Sequence, residues 1–417
     1  MQFFKESAQN CFYYLKRCMM WFIVAVVTGL AGGLVGAAFY HAVAFANKSL
    51  TACPWLLYLL PVSGLLIAFI YKKTGMEGED TNNIIDSIHF GEKLPTMLTP
   101  VIFVSTFLTH LCGGSAGREG AALQIGGSIG WRIGKLLKLD DKDMRLITLS
   151  GMAAVFSALF GTPVTAAVFS LEVVSVGIVH YSGFLPCIVS ALSAFGLARL
   201  LGVEPTCFAV AEQALSLSMF LKIAFFAVVC AGMSIVFCLA VHETGILASS
   251  RIKNLYLRTA LGGIIIILLT LLAGTRDYNG AGGALIAAAI EQGSARGGAF
   301  FLKLLFTAVT IGFGFKGGEI VPTFFVGAAL GAVLGPVLGI PAGFAAAVGL
   351  IAVFCGNVNC PVASIVLSME LFGSGNLPYY ALAACISYML SGYFGLYRSQ
   401  KIVYSKTRAE YININAK

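Results

Sequence analysis

Charge is scarce in this chain of 417 residues: Asp, Glu, Lys and Arg together make up 11% of it, against about 25% in a soluble domain. With 58% hydrophobic residues and a mean hydropathy of +0.87, no soluble fold could hide this much apolar surface. The composition is that of a polytopic membrane protein. Histidine is rare as well. His41, His89, His110, His180 and His242 form neither a His-Glu-x-x-His pattern nor a metal-type cluster, so a zinc hydrolase of the membrane interior is excluded. His110 near Ser115 is the one pairing of a base with a nucleophile, and it reads as a packed or interfacial histidine. The 11 cysteines sit in apolar runs without repeated Cys-x-x-Cys or His pairing, which excludes a disulfide frame and a zinc site. No cofactor is implied. No small-residue cleavage pattern precedes Trp21, so no cleavable signal peptide is expected. The formal charge of +8 reflects Lys and Arg gathered at the termini and in connecting loops. That is the positive-inside pattern of a multi-pass protein of the plasma membrane with both termini cytoplasmic, not a nucleic-acid footprint.

Glycine is abundant instead, with 48 residues, which fits close helix packing and broken helices. Residues 1–20 carry Lys5, Lys16 and Arg17 among aromatics and predict an amphipathic cytoplasmic helix. Spans are predicted over 21–46, 54–71, 184–202, 219–240 and 260–273, further apolar segments over 95–112, 299–314 and 328–339, and helices over 120–137 and 379–396. Two further apolar stretches are broken, 146–175 at Gly161-Thr-Pro163 and 343–371 at Asn357 to Pro361, because proline removes a backbone donor. Asp140 to Arg145 reads as a charged, solvated loop. Asp80, Thr81 and Asn82 are each good caps for a helix from about Asn83 to Phe90, lying at the surface or re-entrant with its N-terminus aimed at a site.

The most informative stretch is Gly113-Gly-Ser-Ala-Gly-Arg-Glu-Gly-Ala-Ala-Leu-Gln-Ile-Gly-Gly127. Arg118 and Glu119 stand in a glycine-rich break between apolar segments, and ionisable groups at membrane depth mark ion pathways by default. A helix beginning at Gly120 directs free N–H groups at an anion. The alternative is a tight turn at the membrane surface, with both charges wet.

An internal repeat favours the first reading. A shift of 198 residues places Pro163 on Pro361, Val164 on Val362, Ser170 on Ser368 and Glu172 on Glu370. A shift of 201 places Gly117 on Gly318, Ala121 on Pro322 and Gly126 on Gly327. The chain thus divides into residues 1–20, a first half 21–203, a second half 204–398 and a tail 399–417. Matching Gly/Pro-interrupted apolar segments in two halves point to a substrate site near the membrane midplane.

These motifs resemble the CLC family of chloride channels and anion/proton antiporters, over the whole transmembrane core. Gly117-Arg-Glu-Gly120 resembles the family's Gly-(Lys/Arg)-Glu-Gly-Pro motif, with Ala121 for the proline. Gly318-Glu-Ile-Val-Pro322 resembles its Gly-x-Phe-x-Pro motif, with Ile320 for the phenylalanine. Tyr404 matches the place of the pore tyrosine. The resemblance implies an all-α fold of two inverted repeats of tilted, broken helices. It also implies a homodimer in lipid with one pathway per subunit, through which a small inorganic anion, chloride first, passes in exchange for protons. Amides of Gly120, Ile320 and Val321, the Tyr404 hydroxyl and the Thr81/Asp80 region would bind the anion, and Glu119 would be the gate.

Three departures bear on mechanism. Glu79-Asp80-Thr81-Asn82-Asn83 replaces the family's Gly-Ser-Gly-Ile-Pro, and an Asp beside an anion is repulsive unless it caps the helix, turns away or is protonated. Val173 stands where many antiporters have an inner proton-relay glutamate, as in channel-type members. Phe315-Lys-Gly-Gly-Glu319 resembles the fluoride-exporting branch, which would make Glu319 the second proton carrier and fluoride the anion, although Val321 replaces the threonine expected there. Otherwise Glu319 caps its own helix. Glu172 and Glu370 are expected to be structural or loop-facing. A cation transporter would want converging carboxylates and carbonyls, whereas these breaks open helices at their N-termini. No nucleotide-sensing domain is expected after Tyr404.

Overall fold

The computed structural model describes residues 2–417, with side chains from Cys11 onward. Met1 lies outside the described residues and the Lys5 side chain outside the described side chains. The first half holds α1 (Gln2–Ala52), α2 (Leu60–Thr74), α3 (Thr81–Phe90), α4 (Leu98–Leu111), α5 (Glu119–Leu136), α6 (Asp141–Phe160), α7 (Pro163–Glu172) and α8 (Phe184–Leu200). The second half holds α9 (Leu217–Arg251), α10 (Leu255–Ala273), α11 (Gly283–Glu291), α12 (Ala299–Gly312), α13 (Ile320–Leu334), α14 (Ala342–Val358), α15 (Pro361–Phe372) and α16 (Leu377–Leu390). The fold is all-helical apart from a small sheet. In it β1 (Ser175–Val176) pairs in parallel with β2 (Lys401–Tyr404), and β2 pairs antiparallel with β3 (Tyr411–Asn415).

Several boundaries differ from the sequence expectation. The expected amphipathic helix of residues 1–20 runs without a break into the first span as α1. The expected solvated loop at 140–145 is the start of α6, with the Asp140 side chain capping it through Asp143 N. Asp143 is itself buried and holds Arg17 by two 3.0 Å bonds, which ties α1 to α6. Helix α9 extends eleven residues past the expected span to Arg251. Both predicted proline breaks are present. Helix α6 ends at Phe160 and α7 starts at Pro163; α14 ends at Val358 and α15 starts at Pro361.

The two halves are inverted repeats that share their packing devices. Helix α5 crosses α6 where Gly126 faces Gly151, and α13 crosses α14 where Gly327 faces Gly349. At both crossings a Cβ would collide with the facing carbonyl, so only glycine lets the backbones meet. The repeats also cap one another. Proline at the first position of α7 and α15 removes one orphan N–H, and the next two are covered from the opposite half. Glu172 Oε1 and Oε2 accept from Val362 N (3.1 Å) and Ala363 N (2.8 Å). Glu370 Oε1 and Oε2 accept from Val164 N (3.0 Å) and Thr165 N (2.8 Å). Each carboxylate thus sits on the positive end of the other repeat's helix. Glu172→Ala or Glu370→Ala is expected to cost about 2 kcal/mol, since two amides lose their acceptor. The buried Glu172 should cost more than the half-buried Glu370. Thermal unfolding in detergent micelles measures both.

Candidate anion site

The two glycine-rich breaks meet at the centre of the chain. Gly117 N donates to Gly318 O at 2.6 Å and Gly318 N to Gly117 O at 2.7 Å, an isolated antiparallel bridge between the halves. From this bridge α5 leaves at Glu119 and α13 at Ile320, and neither N-terminus has a side-chain cap. Their amides and positive dipole ends are open to a negative group. Helix α3 brings a third N-terminus, with Thr81 Oγ1 3.5 Å from Gly120 O.

Glu119 occupies this convergence. It is fully buried, which disposes of the wet surface turn. Its Oε2 accepts from Val321 N at 3.3 Å, whereas Oε1 has no partner. The carboxylate therefore takes the position at the α13 N-terminus that the sequence assigned to an anion. Beside it the Arg118 guanidinium lies 4.6 Å from the Tyr40 ring and donates to Leu159 O at 3.3 Å. Arg118, Glu119 and Val321 line a cavity of about 800 Å³ together with His110 and the loop 276–283.

On the other side of the bridge lies a cavity of about 150 Å³, lined by Asp80, Thr81, Gln124, Lys316, Glu319 and Tyr397 among others. Glu319 Oε2 and the Tyr397 hydroxyl are buried there without partners, an unusual cost unless a ligand answers them. Gln124 Nε2 donates to Thr81 Oγ1 at 3.2 Å. The Thr81 hydroxyl in turn donates to Gly120 O at 3.5 Å, a contact long enough for a stronger acceptor to displace. Lys316 Nζ donates to Glu79 O at 3.0 Å and lies 4.3 Å from the Tyr71 ring. It places a cation among the acids of this wall. In the connection before α3, burial and the neighbouring Asp80 push the Glu79 carboxyl above the usual carboxylate range.

Two expected anion ligands are corrected. Asp80 lines the small cavity, but its carboxylate caps α3, accepting from Asn82 N at 2.7 Å within a capping box that includes Asn83. Its other oxygen accepts from Asn82 Nδ2 at 3.1 Å, so both oxygens of Asp80 belong to the helix cap, and α3 starts at Thr81 rather than Asn83. Tyr404 is 43% exposed on β2, its ring 5.8 Å from that of Tyr411, away from both cavities. The tyrosine at the site is Tyr397, in the turn after α16. Asn82 Oδ1 fixes that turn by accepting from Ser399 N at 3.0 Å. The signal for Tyr397 was the Gly392–Gly395 break just before it. Tyr397→Phe is expected to weaken halide binding about tenfold, the worth of one hydrogen bond to a charged acceptor, while Tyr404→Phe leaves it unchanged. Calorimetric titration of the purified protein with halide distinguishes them.

Among the described residues no group of His, Cys, Asp and Glu has metal-binding geometry. A sequence profile of the voltage gated chloride channel family matches residues 63–392. A chloride/fluoride channel protein of Pseudomonas syringae pv. tomato is 34% identical over 395 residues, covering 93% of this chain and 87% of its own. The crystal structure of a CLC-type fluoride/proton antiporter superposes with a TM-score of 0.88 at 31% identity, covering 92% of this chain and 98% of that one. A slow cyanobacterial Cl⁻/H⁺ antiporter, at 18% identity and a TM-score of 0.77 over 89% of this chain and 94% of that one, shares the fold.

Proposed function

The chain belongs to the voltage gated chloride channel (CLC) family, whose members move ions rather than transform substrates, and from that premise we propose that it exchanges fluoride for protons across the plasma membrane. The observation that carries this reading is the pair of carboxylates Glu119 and Glu319 on either side of the Gly117–Gly318 bridge, each with an unpartnered buried oxygen. An anion cannot share the α13 N-terminus with an ionised Glu119, because two negative charges compete for the same amides. Once protonated, Glu119 gives up the Val321 amide and the anion takes it. Glu319 passes the proton on toward the small cavity, with Thr81 and Tyr397 as hydroxyl donors to the anion and the backbone at Gly120, Ile320 and Val321 as its bed.

A carboxyl group beside the path repels a halide when ionised and donates to it when protonated. Among the halides fluoride is the strongest acceptor of such a bond, so Glu319 favours it. Both relatives above 30% identity carry fluoride in their names, one of them beside chloride. One feature favours chloride: Val321 has no hydroxyl where the fluoride branch would have threonine. The small cavity faces the cytoplasm in this reading, since Lys72, Lys73 and Lys316 gather on its side. The functional unit is a homodimer with a complete pathway in each subunit.

Efflux of fluoride and of chloride from vesicles holding the purified protein, with external pH recorded, tests the proposal. Proton uptake against fluoride efflux is the expected result. A preference for chloride moves the protein out of the fluoride branch. Anion flux without proton movement makes it a channel and removes Glu319 from the transport cycle.

A further inference from the structure

Tyr397 brings its hydroxyl to the small cavity without a hydrogen bond of its own. Its place therefore depends on what holds the turn from Phe394 to Gln400. Two points of that turn are pinned from outside. Leu396 N donates to Asn357 O at 2.8 Å, and Ser399 N to Asn82 Oδ1 at 3.0 Å. Its two ends are held together by one side chain. Asn359 Nδ2 donates to Phe394 O at 3.0 Å and to Gln400 Oε1 at 2.9 Å. Asn359 and Gln400 are both fully buried.

Neither amide can be turned round. Asn359 Oδ1 accepts from Lys406 Nζ at 2.5 Å, and an ammonium only donates. Gln400 Nε2 donates to Val173 O at 2.9 Å and to Val358 O at 2.8 Å, and carbonyls only accept. The clasp thus joins the ends of the Tyr397 turn to the end of α7 in the first half and the end of α14 in the second.

The internal repeat shows what the asparagine adds. Under the shift of 198 residues Asn359 falls on Gly161. Both residues close the helix before a proline in left-handed backbone, with φ 58° at Asn359 and 72° at Gly161. Glycine takes that conformation freely, whereas asparagine takes it at some cost. At Gly161 a Cβ would lie 2.5 Å from Pro205, so the first half has no room for a side chain. The second half has the room and fills it with an amide. We propose that Asn359 is a positioning residue for Tyr397, with Gln400 as its partner: the clasp keeps the turn closed, so that the hydroxyl is already in place when an anion enters the small cavity. This rests on the reading of Tyr397 as a donor to the anion.

A clasp of this kind acts on binding, because a side chain that is not held must be ordered each time an anion arrives. The test is calorimetric titration with fluoride of the wild type, Asn359→Gly, Tyr397→Phe and the double variant. Glycine already serves the matching position in the first half, so Asn359→Gly keeps the course of the backbone and removes only the amide. It is expected to weaken fluoride binding about threefold to tenfold, the range for ordering one side chain. In the double variant it should add less than about twofold to the loss from Tyr397→Phe, since the hydroxyl that the clasp positions is already gone. An asparagine that served stability alone would give the same loss with or without the hydroxyl. That result overturns the proposal, as does unchanged binding in Asn359→Gly. If Tyr397→Phe binds fluoride as the wild type does, the reading of Tyr397 itself fails, and the clasp with it. Should Asn359→Gly not fold, Gln400→Met removes the other side of the clasp at similar volume and enters the same cycle. Failure of both to fold assigns the pair to stability and overturns the positioning role.

Discussion

Glu119→Gln is expected to abolish anion-driven proton movement while anion flux persists within about tenfold of the wild type. The substitution keeps the shape of the side chain and removes the charge that competes with the anion for Val321 N. A glutamine amide still reaches this place but exerts no repulsion on a halide, so the site is no longer gated by a titrating group. Proton uptake should fall to the level of empty vesicles, a loss of at least about 100-fold, since the carboxyl that takes up the proton at the anion bed is gone. Retained coupling in this variant would remove Glu119 from the mechanism.

Gly318→Ala is expected to be as damaging by a different route. A Cβ at this position would lie 2.5 Å from Gly120 N and 2.7 Å from Glu119 N. Both are backbone atoms at the start of α5, so no side chain can swing aside to make room. Either the Gly117–Gly318 bridge opens or the N-terminus of α5 shifts, and each spoils the convergence of helix ends. We expect a stability loss of about 3 kcal/mol and transport below about 1% of wild type even in the fraction that folds. Gly245→Ala in α9, where the nearest atom to a new Cβ is 3.8 Å away, is the control and should leave transport intact. Thermal unfolding and vesicle efflux on the same preparations separate lost stability from lost transport.

What could be read from the sequence was what short stretches decide. Pro163 and Pro361 break their helices because a missing N–H acts locally, and the glycine-rich stretch 113–120 marks a break because glycine's backbone freedom acts locally too, with Gly113 at φ 81°. The inverted repeat came through because both halves kept their breaks in step. Tyr397 was missed because a pore-facing tyrosine is chosen by the path of the chain after α16, and nothing within Lys401–Tyr404 reveals that this stretch is a strand edge. The start of α6 was missed because Asp140-Asp-Lys-Asp has the composition of a loop. Only the burial of Asp143 against Arg17, a contact between residues far apart in sequence, shows it as a helix start. Gln400 and Gln124 drew no notice, since a single glutamine gains meaning only from its neighbours in space.

The crossed caps of Glu172 and Glu370 make each half incomplete without the other. A half-length chain of this design would begin α7 with two uncovered amides and end it with a glutamate that its own backbone cannot use. Only a second copy in the opposite orientation answers both needs, and the full chain supplies that copy within itself. The two halves are therefore expected to unfold together rather than one at a time.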